Sequence, residues 1–393
     1  MSNFTKRATR ALAVFAATTV LAGAANAQRT ITSADGRWQG VSEIVGQTAT
    51  SSVVAPAGGG GGDPIYIPTP GKYAGAVALR MDYATGSFVC SGTLINSNTV
   101  VTAAHCVSDG TSARPLATTA FFHNGPDGPT VYNPALSGSV AVNVLKTTVH
   151  QSYSGEVVDE NDIAILTLGS APPSFAQAVG LSAIGDLTGL DHTIAGYGSR
   201  STAGGSTGTL PVSNANTGRL RDADNRFDWR FGDDDFEGYF DGAFGPQSID
   251  NVWVSDFDDG TAFRDNSCNL AGFESGSSPA AAAIFSKAVF SSSKYCDLGR
   301  GAREGIGAGG DSGTGYYING ELVAVHSFAL WYRDDESANR FGQFKGAVSV
   351  DFHRDFINAN VPEPATWAMM IAGFGLVGGA ARRSRTVRSV TFA

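Results

Sequence analysis

Thr102-Ala103-Ala104-His105-Cys106 is the stretch whose reading decides the rest of this chain. It follows Val100-Val101, an apolar β-branched pair of strand type, and sets a histidine between two small alanines and a cysteine that can pin a turn. Histidine suits a general base because its ordinary pKa lies close to neutral pH. Outward from it, two further runs extend the same chemistry. Asn161-Asp162 leads into the apolar run Ile163–Leu168, and Gly309-Gly310-Asp311-Ser312-Gly313 carries a serine on a glycine-rich turn. A serine hydroxyl is a weak nucleophile until a neighbouring base takes its proton. A carboxylate that accepts the imidazole N–H fixes the tautomer of that base and stabilises its charged form. Glycines beside Ser312 permit a tight turn, in which the N–H groups of Gly310 and Ser312 can aim at a developing oxyanion.

In this order the three runs resemble trypsin/chymotrypsin-like serine peptidases, over roughly Lys72 to Asn360. The resemblance implies His105 as base, Asp162 as its orienting carboxylate, Ser312 as nucleophile, and Gly310 with Ser312 as the oxyanion hole. It also implies a Cys90–Cys106 bridge beside the histidine, after which Cys268 and Cys296 are expected to pair. An even count of four cysteines in an exported chain fits a disulfide framework. Ile306 stands where tryptic enzymes carry a pocket-floor aspartate, which argues against Lys or Arg at the cleaved position. Ser327-Phe328-Ala329 resembles the pocket-wall strand, with Ala329 narrowing the pocket. His326 occupies the place that glutamyl-specific relatives use to bind a carboxylate. The expected substrate is therefore a protein or peptide cut after Glu or after a small apolar residue. Thr314 departs from the family's Gly-Gly-Pro continuation and is expected to perturb the following strand. Ile44-Val45-Gly46 resembles the amino terminus that family zymogens expose, whose ammonium would pair with Asp311. The competing reading is a catalytically weak or inactive binding module that keeps the peptidase fold.

The remainder of the chain fits an all-β architecture. Short apolar or alternating runs recur between Gly, Asn, Asp and Pro: Ala74–Leu79, Phe88–Ile95, Val140–Val149, Ile163–Leu168, His192–Tyr197 and Glu321–Phe328. Helical spacing is confined to Val350–Ile357, where Phe352, Phe356 and Ile357 share one face. Two packed Greek-key β-barrels and a C-terminal helix are expected, within a peptidase domain over residues 71–360. Residues 28–70, with five consecutive glycines at Gly58–Gly62 and clustered prolines, are expected to be a propeptide or linker unable to order itself. An insertion over about residues 199–300 exceeds what a minimal peptidase needs. Its stretch 219–265 carries 13 acidic and 5 basic side chains. No complete Asp-x-Asp-x-Asp-Gly loop with its closing Glu appears there, so a solvated surface insertion is expected rather than a calcium loop. No Cys-x-x-Cys spacing suggests zinc, and neither metal nor cofactor is expected.

The ends carry addresses. Lys6, Arg7 and Arg10, the apolar Ala11–Ala24 and the small-x-small Ala25-Asn26-Ala27 read as a signal peptide over residues 1–27. Val361-Pro362-Glu363-Pro364, an apolar run to Ala381 and Arg382-Arg383-Ser384-Arg385 resemble the PEP-CTERM sorting signal of Gram-negative bacteria, over residues 361–385. That resemblance implies transient membrane association and cleavage by an exosortase-type enzyme, with an ordinary anchor as the alternative. The protein is then expected at the cell surface or outside the cell. Of 27 basic residues, 3 fall in the signal peptide and 4 in the tail; of 36 acidic residues only Glu363 leaves, so the mature part carries about −15. Such a charge excludes nucleic acid as a natural partner, because phosphate attraction dominates that affinity.

Overall fold

The structure is a computed structural model that describes residues 29–42, 45–47, 64–125, 128–199, 217–236, 238–270, 293–332 and 341–361, with 373–374, 376–377 and 382 near the end. The expected signal peptide, the five-glycine run and most of the sorting segment lie outside the described residues. Among the described residues no helix is long and apolar enough to cross a membrane.

Strands dominate. In chain order they are β1 (Thr30–Thr32), β2 (Trp38–Val41), β3 (Val45–Gln47), β4 (Ala76–Tyr83), β5 (Gly86–Leu94), β6 (Thr99–Thr102), β7 (Ala117–Phe122), β8 (Val140–Val149) and β9 (Ala164–Leu168). The second half adds β10 (Asp191–Gly196), β11 (Arg221–Arg226), β12 (Trp229–Arg230), β13 (Val252–Ser255), β14 (Gly315–Ile318), β15 (Glu321–Tyr332) and β16 (Phe344–Ser349). Strands β4 to β9 follow the order β5-β4-β7-β8-β9-β6, and β6 pairs back onto β5, closing a six-stranded barrel. Its interior is filled by Val77, Leu79, Leu94, Val100, Phe122 and Leu166, the inward set that alternation along each strand selects. The second sheet runs β11-β10-β14-β15-β16-β13-β12. It curls because β11 passes into β12 through Phe227 and Asp228 alone, which joins its two ends covalently.

One apolar cluster crosses between the halves. Val101, Ile163 and Ile165 of the barrel meet Ala195, Leu322, Val325 and Val348 of the curled sheet, together with Ile357 of the C-terminal helix Arg354–Asn360. The helix starts later than its apolar spacing suggests. Phe352 stays about half exposed in the turn before it, and Ile357 supplies the buried contact.

Two expectations change. Residues 29–42 do not form an unstructured linker: β1 and β2 make an antiparallel hairpin, and β2 extends the curled sheet along Ala329–Tyr332 of β15. Trp38 is the anchor, fully buried with Trp229, Phe240 and Phe344. The acidic stretch is not a solvated surface either. Phe231, Phe236, Phe240 and Phe244 build a core around Trp229, while Asp228, Asp256, Asp258 and Asp265 are all buried. Aromatic residues every few positions supply enough apolar area to close over the aspartates.

Truncating the anchor tests whether the hairpin belongs to the core. Trp38→Ala is expected to lower the unfolding free energy by about 3–5 kcal/mol, measured by chemical denaturation; a loss under about 1 kcal/mol would mean that the hairpin is only loosely attached.

Candidate active site

The base is delivered by local structure. Strand β6 is buried throughout, and its end runs through Ala103 into a single 3-10 turn, Ala104–Cys106. Both alanines are fully buried, so the positions before His105 have no room for larger side chains. The Cys90–Cys106 disulfide ties the turn to β5, and Cys268–Cys296 forms as well.

Asp162 sits in the turn before β9 and is almost wholly buried. Its Oδ1 accepts the backbone N–H of His105 at 2.8 Å, and its Oδ2 lies 2.7 Å from His105 Nδ1. The hydroxyl of Ser327 donates to the same Oδ2 at 2.5 Å. Three hydrogen bonds offset the cost of burying the carboxylate and fix its rotation. They set the proton of a neutral imidazole on Nδ1 and leave Nε2 as the basic lone pair. Nε2 is itself buried without a hydrogen-bond partner among the described residues. Behind the aspartate, His353 Nδ1 donates to the Ser349 carbonyl at 2.9 Å, and its ring edge lies 3.4 Å from Asn161 Oδ1.

Ser312 is held by the barrel across from its own sheet. Its carbonyl accepts the Ser91 N–H at 2.8 Å and lies 3.6 Å from Sγ of Cys106, the residue after His105. Ser91 Oγ donates to the Gly310 carbonyl at 3.0 Å and receives the Tyr197 N–H at 3.0 Å. Gly310 and Gly313 have φ of 96° and 82°, a region that side chains disfavour. At Gly313 a Cβ would also come within 2.0 Å of Thr102 Oγ1 and 2.4 Å of the Ser91 carbonyl. Asp311 turns inward: Oδ1 accepts Gly198 N–H at 2.7 Å and Oδ2 accepts Ala308 N–H at 2.9 Å. Thr314 leaves the next strand undisturbed. Its hydroxyl donates to the Ala195 carbonyl, and β14 begins at the adjacent residue.

The wall residues separate by direction. Ser327 faces Asp162, whereas the Phe328 ring lies over Gly346 and beside Phe231 in the core. Ala329 pairs with Lys345, and Ile306 is half-buried. His326 is fully buried; its Nδ1 lies 2.9 Å from the Tyr316 hydroxyl, and its Nε2 points at Gly307, where a Cβ would approach to 2.7 Å. Burial, then the charges of Lys345 and His105, holds the His326 pKa well below its ordinary value. Sequence reasoning missed Lys345, a basic residue buried in an otherwise apolar and small-residue strand, Phe344–Ser349. It also missed Ser91 and Thr102, whose roles exist only once the two halves meet.

Two short strands flank this centre. On β15 the edge opposite β16 is taken by β14 up to Val325 and by β2 from Ala329 onward, with Val41 opposite Ala329. On β5 the edge opposite β4 is taken by β3 at Ser87–Val89, with Val45 opposite Val89, and by β6 from Thr93. Between these strands the backbone is paired with the site itself: His326 N–H and C=O bond to Thr314 and Gly313, Ser91 N–H and C=O bond to the Ser312 carbonyl and the Thr102 hydroxyl, and Ser327 turns its hydroxyl to Asp162. Glu43 and Ile44 lie outside the described residues.

Comparison with known proteins finds similarity over parts of the chain. The trypsin family model matches residues 69–227, and the PEP-CTERM protein-sorting motif matches residues 360–385. Trypsin alpha-4 of Lucilia cuprina is 31% identical over 123 residues, 30% of this chain and 43% of that protein. Trypsin zeta of Drosophila erecta is 32% identical over 126 residues, 31% of this chain and 41% of that protein. The chain thus spans less than half the length of the curated relatives it matches. A solved structure of neuropsin, a serine protease expressed in the limbic system of mouse brain, aligns with 75% of this chain and 97% of its own, at 13% identity and a TM-score of 0.47. The family match contains His105 and Asp162 and ends before Ser312.

The buried histidines give the fold a pH signature. Burial and neighbouring charge lower His326, and burial above all brings the His353 pKa down to about 4. Their stabilisation is complete above the unfolded value of about 6.5 and is lost as pH falls toward the folded values. Because buried Glu304 and Asp258 are shifted upward and oppose this trend in the overall stability, the histidines are best read one by one: the ring resonances of His326 and His353 are expected to keep their neutral-form positions in NMR spectra of the folded protein at pH 7, 6 and 5. A protonation midpoint near the ordinary value of about 6.5 for either ring would show that it is not held neutral.

Proposed function

We propose that this chain, which the trypsin family model matches over residues 69–227, is a serine endopeptidase that cuts proteins or peptides after an acidic residue. The observation that carries the reading is the Asp162 carboxylate, which holds both His105 Nδ1 and the His105 backbone in one orientation. In this reading His105 Nε2 takes the Ser312 proton as Oγ attacks the carbonyl carbon, and returns it to the leaving amine. Water, deprotonated by the same nitrogen, then hydrolyses the acyl-enzyme. The N–H groups of Gly310 and Ser312 stabilise the oxyanion, an effect of about 3 kcal/mol per donor in comparable sites.

Preference for an acidic side chain rests on the wall. If the Tyr316 hydroxyl donates to His326 Nδ1, the neutral ring carries its proton on Nε2, facing the backbone at Gly307 beside Ile306. A donor there and the buried ammonium of Lys345 both favour an anionic group, whereas a small apolar residue would exploit neither. Residues 28–43 act as a propeptide in this reading. It is supported by Val41 and Val45, which stand against the two barrels on either side of the catalytic centre, as an extended substrate would. The PEP-CTERM motif marks export with C-terminal sorting; exosortase processing and display at a Gram-negative surface are part of the proposal.

Intact mass before and after a fluorophosphonate probe tests the core of this reading. One adduct is expected on the active chain and none on Ser312→Ala; an unlabelled, folded, processed parent would favour the binding-module reading. The same spectra report the mature amino terminus, expected at Ile44 in the parent and absent in Ser312→Ala. Specificity is tested by Lys345→Ala, expected to lower kcat/KM for Glu-directed peptides about 10- to 100-fold, the range for losing one buried charge partner. Ala- or Val-directed cleavage dominating in the parent would refute the acidic preference.

A further inference from the structure

The acidic insertion contains a buried group of carboxylates that the peptidase reading does not use. Asp256 and Asp258 follow β13, Asp265 precedes the short helix Asn266–Leu270, and all three are buried. Each offers an oxygen within 4.8 Å of the others. Two of them are held in place by backbone donors. Asp256 Oδ2 accepts Ser267 N–H at 2.8 Å, Asp265 Oδ1 accepts Cys268 N–H at 2.8 Å, and Asp265 Oδ2 accepts Asp297 N–H at 2.9 Å.

Asp258 differs from its neighbours. It is 4% exposed, and its Oδ1 has no hydrogen-bond partner although it belongs to the cluster. A second orphan lies beside it. Glu304, 5% exposed, has Oε2 bonded to Arg300 N–H at 2.6 Å and Oε1 without a partner. The two side chains flank Gly299, where a Cβ would lie 2.7 Å from Asp258 Cβ and 3.1 Å from Glu304 Oε2. The nearby Arg300 guanidinium is committed to Asp191 and Asp297. Unpartnered carboxylate oxygens are costly to bury, and clustering like charges raises that cost unless a cation sits among them.

We propose that Asp256, Asp258 and Asp265 bind one hard divalent cation, calcium by preference, with the charge of Glu304 beside Asp258 strengthening the attraction. The donors are all carboxylate oxygens, which suit hard cations. Cys268 and Cys296, the sulfur atoms nearest to Asp265, are joined in a disulfide and offer no thiolate, which disfavours zinc. Several carboxylates closing directly on a buried ion suit calcium, whereas magnesium retains much of its water. The cation would tie the loop after β13 to Asp265, at the head of the helix Asn266–Leu270. The site needs no peptidase activity.

The test uses the full chain carrying Ser312→Ala, so that self-digestion cannot intrude, stripped with a chelator and then dialysed free of it. Calcium chloride is titrated calorimetrically, and thermal unfolding is followed in calcium, in magnesium and in EGTA. Expected is one calcium site with Kd at or below about 10⁻³ M, as in extracellular modules, and a rise in Tm in calcium that magnesium does not match. Asp258→Asn and, separately, Glu304→Gln are expected to weaken calcium binding at least tenfold while leaving Tm in EGTA equal to or above that of their parent, because each removes a repulsive charge. A merely structural carboxylate would instead lower Tm in EGTA. No calcium binding up to 5 mM, on the order of a few times the weakest Kd expected, or unchanged binding in both variants, would overturn the proposal.

Discussion

The carboxylate of Asp162 is the constraint on which the arrangement depends. It belongs to the closed barrel, accepts two hydrogen bonds from His105 of the same barrel, and accepts a third from Ser327 of the curled sheet. A buried carboxylate left short of donors is costly, so the two halves must meet in a register that brings Ser327 to it. The apolar cluster around Val101, Ile165 and Val348 supplies non-directional attraction between the halves, and the hydrogen bonds at Asp162 select one register among those it would allow. Ser91 reciprocates from the barrel side, bonding both Ser312 and Gly310. The orientation of His105 and the packing of the two halves therefore rest on the same set of contacts.

The flanking strands are a consequence of this meeting. Each sheet has an edge that its flanking strands cover only in part, and the stretches between them are paired with the turns that hold the site. Backbone groups at such edges pair with any extended chain that approaches. In this molecule the segment before the barrel supplies that chain, anchored by Trp38 in the aromatic core and by the Arg29 guanidinium on the carbonyls of Gly155 and Asp109.

The insertion shows how composition can mislead. A run with 13 acidic residues in 219–265 reads as a solvated surface when charge is counted alone. The same run contains Phe227, Trp229, Phe231, Phe236, Phe240 and Phe244, whose spacing follows neither a strand nor a helix because it spans turns and short elements. Stacked and edge-to-face contacts among these rings, such as Trp229 on Phe240, form the core. Their burial then encloses the aspartates, and side-chain-to-backbone bonds such as Ser267 N–H to Asp256 compensate part of the loss of water.

By itself the sequence determined the strand-rich class, the two disulfide pairings inferred by family resemblance, and the three runs around His105, Asp162 and Ser312, because each depends on local pattern or residue type. Alternation sets which face of a strand is buried, small residues flank a crowded turn, and glycine alone tolerates the backbone at Gly310 and Gly313. Tertiary structure alone decided the rest. Ser91, Thr102, Lys345 and Glu304 look ordinary in the chain, and so does the order within the Trp38 hairpin, because their surroundings are built from residues far away in sequence. Burial and register are properties of the assembled halves; they turn a surface-like aspartate into an enclosed one and a plain lysine into a buried one whose charge is felt by His326.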